Sequence, residues 1–292
     1  MSELASIESA LRAAGLAGVV ASVVPMRGGC IHRTIAITLD SGQELVAKLG
    51  GPDMLPLLVE EAASLDALAD TCTVLVPERL VVGLHAGQAV LLMRRVVASS
   101  GSPDAWGRFG RDLAALHAVE TGTAYGFDVD NHLGTTLQVN TWSDDWVAFN
   151  RACRLGPQID LAAQRGLLEA GERKRLERLL DRLDELLPAR PRPALLHGDL
   201  WSGNALPTET ASGPTVAVID PACSVGDGQA DLAMMQLFGG FPASCFAAYE
   251  EAARASIDPT RILVYQLYHL LNHVNLFGRG YVGQAMDVVG RL

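Results

Sequence analysis

The stretch His197-Gly198-Asp199-Leu200-Trp201-Ser202-Gly203-Asn204, taken with Asp220 further on, decides how this chain is read. Apolar residues at 194–196 lead into the first acid and those at 216–219 into the second, so each reads as a short strand ending in a carboxylate. Acids at the ends of adjacent strands can converge on one cleft, an arrangement that suits metal-assisted chemistry and that packing rarely requires. An aspartate, an asparagine spaced Asp-x-x-x-x-Asn and a second aspartate supply a base and two oxygen ligands for a hard cation. Phosphoryl transfer needs those parts: Mg²⁺ takes oxygen donors from one or two side chains and the substrate phosphates, while a positioned Asp accepts the proton of the attacking hydroxyl. His197 reads as a residue that orients the loop, with proton carriage as the rival role.

The chain before this core is β-rich. Residues 3–15 suit a short amphipathic helix, and alternating β-branched segments follow at 19–25, 31–39 and 44–49. In the second, Ile31, Ile35, Ile37 and Leu39 share one face and His32, Thr34 and Thr38 the other. Asp40-Ser41-Gly42 is a turn signal, which predicts an antiparallel meander. Leu55, Leu58, Val59, Ala62, Leu65, Leu68 and Ala69 recur at helical spacing from near Pro56, where a first turn tolerates proline. Apolar runs at 74–82 and 89–97 read as strands. From Asp104 the texture turns helical, over 104–119, 143–154 and 171–187. Ser99-Ser100-Gly101-Ser102-Pro103 marks the loop between the two textures. The expectation is an α+β chain: a small antiparallel-sheet lobe with one main helix over 1–96 and a larger, mostly helical lobe over 97–292.

Composition narrows the partners. The 292 residues, 49% hydrophobic and 19% charged, can bury a full core and divide into two lobes. A formal charge of −10 repels nucleic acid and anionic lipid at long range, so neither is an expected partner. There is no apolar run of bilayer-spanning length, and the acidic start lacks the basic flank of a signal peptide, so a soluble, cytoplasmic monomer or homodimer is expected. Five cysteines, at 30, 72, 153, 223 and 245, include no C-x-x-C pair and read as reduced thiols.

Together with Asp220-Pro221-Ala222-Cys223 and Phe238-Gly239-Gly240-Phe241-Pro242, the opening stretch resembles the fructosamine kinase (ketosamine kinase) family of the protein-kinase-like fold. Its His-Gly-Asp and Asn alone would also admit aminoglycoside and choline kinases; Trp201-Ser202-Gly203 and the two flanking motifs narrow the field. Gln138-Val139-Asn140 with Trp142, Asp144-Asp145-Trp146, Tyr265-Gln266-Leu267, Asn272-His273 and Phe277-Gly278-Arg279 extend the similarity along nearly the whole chain. The resemblance implies a two-lobed kinase that uses ATP and Mg²⁺ to phosphorylate the sugar of an amine-linked ketose, free or on a glycated lysine. By position, Asp199 would be the base and Asn204 and Asp220 the metal ligands. Lys48 resembles the strand lysine on the α/β-phosphates and Glu61 its helix partner. The helical wheel supports Glu61 independently: it borders the stripe of Leu58, Ala62, Leu65 and Leu68, whereas Glu60 points away.

Other candidates are more local. Gly28 and Gly29 let backbone N–H groups approach phosphate, as a nucleotide lid or as an ordinary hairpin turn. In the lid reading, Cys30 beside such amides would favour its thiolate, with oxidative inhibition or disulfide cross-linking as the consequence. Leu92-Met93-Arg94-Arg95 stands where an adenine hinge would be, so Met93 and Arg95 are nucleotide-side candidates through their main chain. Asn140, Trp142, Asp144 and Asp145 could form an acceptor wall or equally a helix start with Ser143 as cap. Trp201, Asp227 and His273 complete the acceptor candidates, and Asp231 reads as an anchor for the loop or a helix cap. A kinase for an aminoglycoside or choline, or a nucleotide-binding regulator without turnover, remain the alternatives.

Overall fold

The computed structural model describes residues 3–26 and 32–292. The expected lid residues Gly28, Gly29 and Cys30 lie outside that range. The front of the chain is helix α1 (Glu3–Ala13), strands β1 (Val20–Pro25), β2 (Arg33–Leu39) and β3 (Glu44–Gly50), helix α2 (Leu55–Asp70), and strands β4 (Arg79–His85) and β5 (Gln88–Arg94). They make one antiparallel sheet in the order β1-β2-β3-β5-β4.

Strand periodicity decides what each face covers. Ile35, Ile37, Leu45, Ala47, Leu49, Val90 and Leu92 pack with Ile7, Ala10 and Leu11 of α1. The alternate residues Ala89, Leu91 and Met93 pack with Leu58, Ala62 and Leu65 of α2. A strand covered on both faces has no polar side to show, which is why β5 reads as an unbroken apolar run. On β3 the same alternation puts Lys48 on the α2 side, opposite the face of Ala47 and Leu49. The strand expected over 74–82 forms only from Arg79, because Pro77 has no N–H to give a ladder. Leu75 instead bridges Ala217 in the other lobe.

The remainder begins with α3 (Pro103–Leu116), started by Ser102, whose side chain accepts from Ala105 N. A three-residue-per-strand hairpin follows, β6 (Asn131–Leu133) and β7 (Thr136–Gln138). The single helix expected over 143–154 is three pieces: α4 (Trp146–Phe149), a π-helical turn (Asn150–Leu155) and α5 (Gly156–Gln164). Pro157 accounts for the widened turn, since its ring would meet a carbonyl one α-turn back. Asp145, not Ser143, caps α4, accepting from Ala148 N at 2.7 Å. The long helix expected over 171–187 breaks at Arg182 into α6 (Ala170–Asp181) and α7 (Leu183–Leu186).

Strand β8 (Pro193–Leu196), strands β9 (Ala205–Thr210), β10 (Gly213–Val218) and β11 (Ser224–Asp227), and helices α8 (Gln229–Leu237), α9 (Ala243–Ala253), α10 (Pro259–Phe277) and α11 (Val282–Arg291) complete the chain. The two acid-bearing strands are not ladder neighbours: β8 pairs with β11 and β10 with β9. Their ends meet through loops instead. The largest core runs from Phe109 and Leu113 of α3 through Leu232 of α8 to Leu267 and Leu271 of α10, so the strand ends that bear the acids stand on a packed helical base. No helix among the described residues is long and apolar enough to cross a membrane.

Candidate active site

Lys48 is 7% exposed, with Nζ 2.7 Å from Glu61 and 2.8 Å from Asp220 Oδ1. A buried ammonium requires compensation, and here two carboxylates from opposite lobes give it. Burial works against the charged lysine, but Glu61 and then Asp220 outweigh it and hold Lys48 above the usual lysine range. Asp220 adopts a left-handed backbone, φ +56°, a conformation that costs an ordinary residue about 1–2 kcal/mol and that Asp tolerates better than most.

The loop after β8 is held by its own backbone. Asp231 is 1% exposed and accepts from the backbone N–H of His197 at 2.8 Å and of Gly198 at 2.9 Å, and from His117 Nε2 at 3.2 Å. His197 uses both ring nitrogens locally: Nε2 donates to Ile219 O at 2.9 Å and Nδ1 accepts from Asp199 N at 3.2 Å. Both ring nitrogens are committed to main-chain hydrogen bonds, which tie the loop together and leave neither free for the cleft. Gly198, at φ +83°, lies so close to the next acid-bearing turn that a Cβ would stand 2.0 Å from Ala222 O. Gly240 of the Phe-Gly-Gly-Phe-Pro motif has the same role beneath Ser202, whose Cβ would be 2.4 Å from an added methyl.

Asp199 points into the cleft with Asn204 Nδ2 donating to its Oδ2 at 3.1 Å and to its main-chain O at 2.9 Å. Burial, and next the Asp220 carboxylate, push its carboxyl up to about 7. That range suits a base working near neutral pH. Because Nδ2 of Asn204 is committed to Asp199, its Oδ1 is left as the atom to offer a cation. With the part-exposed Asp220 carboxylate this makes two oxygen donors, a set that fits Mg²⁺ completed by phosphate oxygens. Among the described residues, no group of three His, Cys, Asp or Glu stands ready to hold a metal alone.

One cleft of about 740 Å³ gathers Lys48, Glu61, Asp199, Asn204 and Asp220. Trp201 and His273 line it too. Trp201 is 41% exposed, its ring lying over Gly203, and His273 sits among Phe238, Phe277 and Tyr281 at ring distances of 4.9, 5.4 and 5.0 Å. The other expected acceptor residues are elsewhere. Asn140 is fully buried, giving hydrogen bonds to Val129 O and Asn131 and receiving one from Arg154. Asp145 is a helix cap, Asp144 is exposed, and Asp227 is buried under Tyr265 OH at 2.7 Å. Buried polar networks and sugar-binding sets share a composition, so sequence alone did not separate them. On the nucleotide side, Met93 packs its side chain against α2 and Arg95 pairs with Glu44 at 2.9 Å, so neither side chain lines the cleft.

Lining residues to which the sequence reading gave no site role include Glu60, His132 and Tyr281. For Glu60 the available signal was the wheel that turned it away from the apolar stripe. His132 gave none, because its hairpin is too short to show a period.

A sheet lobe that presents a lysine–glutamate pair, set against a helical lobe that presents Asp-x-x-x-x-Asn and a second aspartate, defines a phosphotransferase of the protein-kinase-like fold. The chain belongs to the fructosamine kinase family, whose profile matches residues 6–292. A Synechocystis protein named "Probable ketoamine kinase" is 39% identical over 90% of this chain and 87% of its own length. The chloroplastic protein-ribulosamine 3-kinase of Oryza sativa subsp. indica is 36% identical over 94% of this chain and 80% of its own. A Thermobifida fusca crystal structure assigned as a fructosamine-3-kinase matches at a TM-score of 0.86 with 31% identity, covering 99% of this chain and 98% of that one. The aminoglycoside phosphotransferase APH(4)-Ia, at 15% identity and a TM-score of 0.64 over 97% of this chain and 98% of its own, shares the fold alone.

Proposed function

We propose that this protein transfers the γ-phosphoryl group of ATP to a sugar hydroxyl of a ketosamine, of the fructosamine or ribulosamine type, carried on a small amine or a glycated lysine. The observation that carries the reading is the bridge of Lys48 to both Glu61 and Asp220 in the cleft that also holds Asp199 and Asn204. Names borne by relatives at 36–39% identity support the ketosamine class.

In this reading residues 1–96 form the nucleotide lobe and 97–292 the catalytic lobe. Lys48 holds the α/β-phosphates, oriented by Glu61, and the base stacks near the main chain of the Met93–Arg95 segment. Asn204 and Asp220 would hold Mg²⁺, which would supply charge neutralisation for the transferring phosphoryl group. Asp199 takes the hydroxyl proton as the sugar oxygen bonds to the γ-phosphorus and the bond to the ADP oxygen breaks. Trp201 offers a ring face to the sugar, with His273 beside it. Action would be cytoplasmic, by a monomer or homodimer. The test is incubation with ATP, Mg²⁺ and a panel of glycated amines, aminoglycosides and choline, followed by mass spectrometry. The expected product is a ketosamine one phosphoryl group heavier. Phosphorylation of an aminoglycoside or choline alone, or ATP binding with no product, would refute the proposal.

A further inference from the structure

The hairpin of β6 and β7 belongs to the helical lobe, yet it holds the neighbours of both acids that flank Lys48: Glu60, next to Glu61, and the turn that follows Asp220. Toward the sheet lobe, His132 Nδ1 donates to Glu60 Oε2 at 2.8 Å, and Glu60 immediately precedes Glu61 on α2. Toward the turn after Asp220, Asn131 Nδ2 donates to Cys223 O at 2.8 Å and Gln138 Nε2 to Ala222 O at 3.2 Å, three and two residues beyond Asp220. The circuit closes directly. Cys223 N donates to Ser64 Oγ of α2 at 3.2 Å, and Cys223 Sγ to Ser64 O at 3.5 Å.

The hairpin itself is anchored from below. Asn131 Oδ1 accepts from Gln138 and from Asn140 at 2.8 and 3.0 Å. Gln138 Oε1 accepts from Tyr268 of α10 at 2.9 Å. Arg154, buried, donates to Asn140 Oδ1 at 2.8 Å and stacks over Phe149 at 4.5 Å. Every member of this set has a partner, and a fully satisfied buried network is rigid. The rigidity therefore passes from α10 through Asn131 and Gln138 to the Asp220 turn, and through His132 to α2.

We infer that His132 and Glu60 are positioning residues for phosphate binding: their pair fixes the rotation of α2 so that Glu61 holds Lys48 in place before any nucleotide arrives. Glu60 acts through α2 and His132 through Glu60; neither needs to touch the acceptor. The role rests on the kinase reading for its meaning, but its readout does not depend on the acceptor.

The experiment compares wild type with His132→Ala, Glu60→Ala, the double variant and His132→Asn, whose amide can replace the Nδ1 donor. The readouts are the Kd for ATP in the presence of Mg²⁺, by calorimetric titration, and amide exchange across residues 55–70. Each alanine variant should weaken ATP about fivefold and speed exchange in α2, with an unchanged melting temperature. The double variant should lose no more than either single change, and His132→Asn should come within twofold of wild type. An unchanged Kd, or losses that multiply in the double variant, overturns the inference. So does an unchanged Kd with a raised KM for the sugar-amine, which would make the pair an acceptor contact. Failure of wild type to turn over any ketosamine would sink the functional reading and leave these binding measurements to decide the positioning role.

Discussion

Lys48 and Asp220, 172 positions apart in the chain, are joined at 2.8 Å across the cleft. Replacing Lys48 by Met leaves Glu61 and Asp220 facing each other without a cation. Breaking a buried pair costs roughly 3–5 kcal/mol, and partial exposure of Asp220 puts this case at the lower end. The expected result is a loss of about 3 kcal/mol in urea unfolding and of ATP turnover by at least two orders of magnitude. Adding Glu61→Leu should restore much of the stability and none of the activity. A stable, active Lys48→Met protein would remove the phosphate role.

Asp199→Asn keeps the shape of the side chain and removes the proposed base. A positioned general base contributes typically 10²–10⁴-fold, so turnover should fall by about a thousandfold with the KM for ATP little changed. Stability should hold or rise, because a buried carboxyl already pushed up to about 7 gives way to a neutral amide. Turnover within threefold of wild type would contradict the assignment.

Gly198→Ala tests the contact between the two acid-bearing turns. A methyl there would sit 2.0 Å from Ala222 O on a φ of +83°, so the turns must separate. The backbone conformation alone costs about 1–2 kcal/mol. A lower melting temperature and a loss of turnover of tenfold or more are expected, measured by thermal unfolding and the phosphorylation assay. Wild-type turnover in the folded variant would show that the turns are not coupled.

His269 gives a pH prediction. Burial lowers its imidazole to about 3, against an ordinary value of 6.5 in the unfolded chain. The unfolded state therefore binds the extra proton first, and stability is lost as pH falls from about 6.5 toward 3. At pH 5 the loss is about 2 kcal/mol relative to pH 8. Asp199 and Glu61, both raised by burial, act in the opposite sense, so the difference between proteins is the measure. His269→Gln should lose about 2 kcal/mol less than wild type between pH 8 and pH 5, followed by denaturant melts. Equal losses would show that the imidazole is not buried neutral.

Part of this site was legible in the sequence. Lys48 was legible through its resemblance to a kinase strand lysine, and the wheel of α2 separated Glu61 from Glu60. The acid-ended strands were legible too, although they meet through loops and not through a shared ladder. What escaped the sequence shares a cause. Asn131, Gln138 and Asn140 are polar residues placed by contacts distant in sequence, and in composition they match residues that bind a sugar. The cap at Asp145 and the π-helical turn before Pro157 likewise depend on local geometry that period counting does not register.

The contact at Gly198 has one more consequence. Ala222 N donates to His197 O at 2.8 Å while Gly198 rests on the Ala222 carbonyl, so the two turns abut through peptide groups with no side chain between them. The separation of the Asp199 and Asp220 turns is thus set by main-chain contact, and side-chain changes around it leave that separation in place.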